Sequence, residues 1–231
     1  MTNDLLTLAG YSDVRELRDR FGLHDILKEY NCNLGDITTI KLLRLMKLNL
    51  MGHTFVIKTH EKPAHLLMRL WAGIGWLKAT YIYRDPRDVA LSAFEHGERI
   101  RREGGSHTFA RLRSMEEAIR YAGELVSTWS EWLKLNKAVP DKVLIVRYED
   151  LNNDTLNELR RLIDFLGLNI SADQLELVTG KYSKTSRSAE KKGLHFNVGE
   201  TGRYKSMMNE AELSLCDEIF GKYLRAMGYD R

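Results

Sequence analysis

The sequence predicts an α/β fold, a parallel sheet flanked by helices, on three observations. Short β-branched or aromatic runs at 53–59, 79–84 and 142–150 alternate with longer stretches of helical period. The run at 79–84 leads straight into R-D-P-R-D and then into a helical pattern, the arrangement found at strand ends of parallel sheets. The composition, 43% hydrophobic and 29% charged over 231 residues, is that of an ordinary globule with core enough to need no disulfide or metal staple. At roughly 150 residues per domain, residues 1–231 are expected to form a single domain.

The elements follow in chain order. Residues 12–30 read as a polar helix. Asp36 suits the cap of the next one, whose apolar positions Ile37, Ile40, Leu43, Met46 and Leu50 recur every three or four residues. HTFVIKT at 53–59 reads as the first strand. Residues 63–77 return to helix, with Pro63 in its first turn and Trp71 and Trp76 on the apolar side as core. ATYIYR at 79–84 is the second strand, and a helix spans 86–103 from Pro86 onward. A long amphipathic helix over 115–137 carries Trp129 and Trp132. KVLIVRYED at 142–150 is the third strand, followed by helices near 154–166 and 171–180. Residues 181–208 are polar, basic and glycine-containing, a loop or lid, and a final helix covers 209–226.

Composition also excludes. Three prolines and 17 glycines do not make a collagenous or low-complexity chain. Cys32 and Cys216 make no disulfide framework, and no Cys/His cluster has zinc-ligand spacing, so no metal is expected. A net charge of +3 suits a small anionic ligand but is too weak to argue for nucleic acid, and no nucleic-acid-reading motif is present. MTNDLLTLAG lacks the features of a signal peptide, and no run approaches the ~18 apolar residues of a membrane span. The cytoplasm is the compartment expected, and the oligomeric state is left open.

Two stretches carry chemistry. In Tyr81-Ile82-Tyr83-Arg84-Asp85-Pro86-Arg87-Asp88 an apolar strand ends on charge at the start of a helix, where amide N–H groups and the helix dipole favour an anion. Arg84 can grip a phosphate with two donors, and Ser92, about two helical turns on, can reach the same anion if the helix folds back over the site. A plain charged turn with a capping aspartate reads equally well from these residues alone. In Phe55-Val56-Ile57-Lys58-Thr59-His60 a strand again ends on titratable groups. His60 can act as a general base near neutral pH, and Lys58, on the same side of a strand, suits negative charge growing on a leaving group. A lone strand-end histidine in a turn is the competing reading. Glu61, beside His60, reads as a solvated turn residue.

Taken together these stretches resemble the sulfotransferases that use 3′-phosphoadenosine 5′-phosphosulfate. K-T-H at 58–60 and R-D-P-R-D-V-A-L-S at 84–92 carry the likeness. Trp129 and Trp132 resemble the family's paired tryptophans, Tyr148-Glu149-Asp150 its Y-E-D segment, and Gly199-Glu-Thr-Gly202-Arg-Tyr-Lys205 its late G-x-x-G-D-W-K loop. The resemblance implies a P-loop-kinase-like sulfotransferase architecture that moves a sulfuryl group to a hydroxyl or amine of a small-molecule or carbohydrate acceptor, without a metal. It implies that Arg84 and Ser92 bind the donor's 3′-phosphate, that Tyr148 contacts adenine, and that Gly199, Gly202 and Lys205 belong to the late loop closing on that phosphate. It implies His60 as the base and Lys58 near the transferring group.

The sequence departs from the pattern in two places. The arginine that usually opens the late loop is absent, with Asn197 and Val198 preceding Gly199, and Arg203 and Tyr204 replace the aspartate and tryptophan. Lys191, Lys192 and Arg203 are the candidates to supply the missing charge. No P-K-S-G-T-T-W-like loop precedes His60, and no G-x-x-x-x-G-K-[ST] occurs, which argues against a kinase. The expectation is an N-terminally truncated sulfotransferase domain without its first central strand. The alternatives are a divergent protein that replaces the missing strand, and an inactive remnant that at most binds adenosine 3′,5′-bisphosphate.

Overall fold

The computed structural model describes residues 2–28, 32–105, 108–181 and 200–230. It divides into two compact units, Met1–Tyr81 with Glu131–Val146 and Asp150–Ser186, and Ile82–Ser130 with Arg147–Glu149 and Arg187–Arg231.

The first unit is a helix–sheet–helix sandwich. Its sheet comes from Ala79–Tyr81 of β1 (Ala79–Tyr83) and Val143–Val146 of β2 (Val143–Arg147), two parallel neighbouring strands. Side chains alternate across a strand, and the two faces read out accordingly. Ala79, Tyr81, Val143 and Ile145 meet a cluster built on Leu42, Met68, Trp132 and Leu135. Leu144 meets the opposite cluster of Leu5, Leu159, Leu162, Ile163, Leu175 and Val178. The first cluster draws on α3 (Thr39–Leu50), α4 (Leu66–Gly73) and the end of α6 (Met115–Ala138); the second draws on α1 (Thr2–Leu8), α8 (Thr155–Leu166) and α9 (Ala172–Lys181).

The sequence reading needs correcting in this unit. Residues 53–59 are not a strand of the sheet. Among the described residues they make one isolated parallel bridge, Lys58 to Asn33, since pairing there stops at the two backbone bonds that Lys58 exchanges with Cys32 and Leu34. The polar helix of 12–30 shortens to α2 (Val14–Arg20), closed where the N–H of Leu23 reaches back to the Arg18 carbonyl. Thr38 rather than Asp36 caps α3, accepting from the Lys41 N–H, while Asp36 pairs with the Lys41 ammonium at 2.6 Å. The buried stripe of α3 is Leu42, Leu45 and Leu48, whereas Ile40, Leu43 and Leu50 are exposed. Trp71 packs against the Leu42–Trp132 cluster, but Trp76 is exposed. It lies past the end of α4, which stops where Gly75, at φ +83, lets the Trp76 N–H bond the Trp71 carbonyl. Helix α1 adds to the elements expected from the sequence. It is fixed by Leu5, fully buried, and by Asp4 pairing with Lys181 at 2.7 Å.

The second unit is organised around α5 (Pro86–Arg102). Pro86 opens it, and Asp85 caps it by accepting from the Arg87 N–H. A short 3₁₀ turn, Thr108–Arg111, lies close against it: Arg101 donates to the carbonyls of Ala110 and Leu112 at 3.1 and 2.7 Å. Tyr148 begins α7 (Tyr148–Asn153) directly after β2, so the strand ends three residues earlier than the run 142–150 suggests. The single turn α10 (Tyr204–Met207) precedes α11 (Glu210–Leu224), which starts with a reciprocal cap between Asn209 and Glu212. Phe220 and Ile119 are fully buried here, with Leu91, Trp129 and Leu224 nearly so.

Candidate functional site

The Lys58–Glu61 segment belongs to the first unit and is held by backbone and side-chain bonds together. Lys58 accepts from the Leu34 N–H at 2.8 Å and donates to the Cys32 carbonyl at 3.4 Å. The Thr59 hydroxyl donates to the Gly35 carbonyl and accepts the Glu61 N–H. The Trp132 indole, stacked on Tyr81, donates to the Glu61 carbonyl at 3.2 Å. This frame fixes the main chain on both sides of His60 and leaves the Lys58 and His60 side chains exposed.

The remaining described candidates lie in the second unit. Arg84 follows β1, and its guanidinium stacks over the Tyr148 ring, 4.9 Å from the centroid. One of its nitrogens, Nη2, donates to the Glu200 carbonyl at 2.5 Å and approaches Asp88 Oδ2 at 3.4 Å. Its Nε is buried and without a hydrogen-bond partner among the described residues. The cation at this strand end therefore keeps donor capacity that the described residues do not consume. Ser92 sits half-buried on α5. Gly202, at φ +79, turns the chain so that its N–H donates to Asp88 Oδ2 at 2.6 Å, and the Tyr204 N–H donates to Oδ1 of the same carboxylate at 3.2 Å. Lys205 is exposed on α10. Gly199, Lys191 and Lys192 lie outside the described residues.

Three charged groups of this region have structural work. Arg87 is buried and gripped by Asp85 through two bonds, 3.0 and 2.8 Å, with its guanidinium 4.1 Å over the Tyr204 ring. Arg203 pairs with both oxygens of Glu95 at 2.9 and 2.6 Å, so its charge is already matched and it is a poor substitute for the absent late-loop arginine. Glu149 is buried beside Tyr148. Its carboxylate accepts the Asp85 N–H at 3.1 Å and the Tyr229 hydroxyl at 2.7 Å, with Arg147 Nε at 3.5 Å. Burial, reinforced by the bond to Glu149, pushes the Tyr229 hydroxyl far above the usual tyrosine range.

Asp88 and Glu149 are the residues that the sequence reading passed over. Each stands next to, or one helical turn from, a residue singled out for nucleotide contact. What hid them is that their partners lie 64 to 116 residues away. Among the described residues there is no group of three or more metal-ligating side chains, and no helix is long and apolar enough to cross a membrane.

Residues 40–228 match the sulfotransferase domain. Mouse Sulfotransferase 2A2 is 27% identical over 183 residues, 70% of this chain and 61% of its own. Cytosolic sulfotransferase 17 of Arabidopsis thaliana is 29% identical over 134 residues, 54% of this chain and 37% of its own. This chain thus spans about three fifths of the first relative's length. The fold resembles that of retinol dehydratase in complex with androsterone and the inactive cofactor PAP, at a TM-score of 0.56 and 17% identity over 97% of this chain and 76% of that one. The domain match takes in Lys58, His60, Arg84, Ser92, Tyr148, Gly202 and Lys205, and covers more than half of the sequence. The chain belongs to the sulfotransferase domain family.

Proposed function

We propose that this chain transfers a sulfuryl group from 3′-phosphoadenosine 5′-phosphosulfate to a hydroxyl or amine of a small-molecule or carbohydrate acceptor. The observation that carries the reading is Arg84, a strand-end cation backed by Tyr148, with a buried Nε that has no partner among the described residues. The PAP in the retinol dehydratase complex supports the donor class, and its androsterone supports a small-molecule acceptor. Arg84, Ser92, Gly199, Gly202 and Lys205 would hold the 3′-phosphate, with the Glu200 carbonyl giving up Arg84 as the phosphate arrives. Tyr148 would lie against adenine. His60 would take the proton as the acceptor oxygen or nitrogen bonds to sulfur and the bond from sulfur to the phosphate oxygen breaks. Lys58 would steady the negative charge gathering on that leaving oxygen. We read residues 1–231 as one domain, since the family match draws on both compact units. The compartment we assign is the cytoplasm, as the name of the Arabidopsis relative indicates for that protein.

The test is calorimetric titration with adenosine 3′,5′-bisphosphate. Micromolar binding is expected, weakened about 30-fold in Arg84→Ala, the loss of one charged contact of about 2 kcal/mol. His60→Ala is expected to bind the nucleotide as the parent does and to abolish transfer. No binding by a folded chain, or equal affinity in Arg84→Ala, refutes the assignment.

A further inference from the structure

An aspartate in the first turn of a helix ordinarily faces that helix's own free amides. Asp85 already fills that role in α5. Asp88, in the same turn, is turned elsewhere. Its carboxylate is almost fully buried, at 1% side-chain exposure, and both oxygens are aimed at the chain more than a hundred residues later. Oδ2 receives the Gly202 N–H and Oδ1 the Tyr204 N–H, and Oδ2 also stands 3.4 Å from Arg84 Nη2. One buried anion therefore joins the strand end that carries Arg84, the helix that carries Ser92, and the loop that carries Gly202 and Lys205.

Resting on the donor reading above, we propose that Asp88 is the positioning residue of the 3′-phosphate site. It does not touch the nucleotide. It fixes the loop of residues 200–205 against α5 and orients Arg84, so that donors from three separate elements face one phosphate. The bonds suit the task. A buried charged acceptor with two amide donors is strong and directional, and the ion pair with Arg84 at 3.4 Å is loose enough to leave the guanidinium its other donors. The Arg203–Glu95 pair tethers the same loop to the same helix.

The test measures affinity for adenosine 3′,5′-bisphosphate and for adenosine 5′-monophosphate in the parent chain and in Asp88→Asn. Their ratio reports the 3′-phosphate alone, and a general loss of structure lowers both affinities together. The parent is expected to prefer the bisphosphate, and Asp88→Asn is expected to lose about tenfold of that preference, because the amide keeps one acceptor oxygen but turns a donor towards another donor. A preference retained in full by Asp88→Asn overturns the proposal while the donor reading stands. A parent with no preference overturns both. Should Asp88→Asn not fold, amide hydrogen exchange of the parent decides. Gly202 and Tyr204 N–H groups protected without nucleotide support the proposal, and exchange at the rate of open chain overturns it.

Discussion

Removing one hydroxyl at Tyr229 tests how the Tyr148 turn is held. Tyr229→Phe keeps the ring under the Arg147 guanidinium at 4.3 Å and edge-on to Tyr83 at 6.2 Å. It deletes the hydroxyl, which donates to Glu149 Oε2 at 2.7 Å and also bonds the Arg147 guanidinium. A hydrogen bond to a buried charged acceptor contributes about 2 kcal/mol, and at this chain length that corresponds to a fall in Tm of roughly 4–8 °C. Glu149→Gln keeps an oxygen for the Asp85 N–H at 3.1 Å but removes the charge facing Tyr229 and Arg147, with a cost of about 2 kcal/mol as well. The two changes delete the same bond, so the double variant is expected to cost about 1–2 kcal/mol less than the sum of the singles. Urea unfolding of the four proteins, with constant m-values, measures this. Additivity within about 0.5 kcal/mol would show that the hydroxyl and the carboxylate act independently, and the network account of this turn would fail.

Two further outcomes follow from packing and burial. Gly97→Ala places a methyl 2.2 Å from the Phe109 carbonyl oxygen inside α5. The ~1 kcal/mol by which alanine is the better helix former is outweighed by overpacking of up to about 3 kcal/mol against backbone, so the variant melts lower; a higher melting temperature would refute the contact. Burial pushes the Cys216 thiol up to about 12 from 9.0 and the Tyr81 hydroxyl up to about 12 from 10.0. Both groups ionise sooner in the unfolded chain, so their contribution to stability is full below about pH 9 and is lost as pH rises towards 12. Urea midpoints at pH 8, 9.5 and 11 should therefore decline, and a constant midpoint would contradict the burial of these groups.

What could be read from the sequence was what neighbouring residues decide. Pro86 after Asp85 marks the start of α5, and ATYIY and VLIVR mark the two strands, because each signal is contained within a few residues. HTFVIKT carries an equally good local signal but, among the described residues, forms only the Lys58–Asn33 bridge, since a strand exists only where a partner offers a ladder. On α3 two leucine-rich stripes compete, and the packing of Met68 and Trp132 buries Leu42, with Leu45 and Leu48 along the same stripe, rather than Ile40 and Leu43. The candidate site divides the same way. Arg84 stands out by type and by its place at a strand end and Tyr148 through the resemblance of Tyr148-Glu149-Asp150, whereas Asp88, Glu149 and the Arg203–Glu95 pair gain their meaning from partners that only folding brings near.

The stacking of Arg84 on Tyr148 bears on how a nucleotide would be discriminated. The ring expected at the base is the surface that steadies the cation expected at the phosphate. Base and phosphate would then be sensed by a coupled pair instead of two independent subsites. Fragments such as adenosine or inorganic phosphate would each bind more weakly than their share of the intact molecule's affinity suggests. Selectivity for the complete nucleotide would come from that synergy, with no additional contact required.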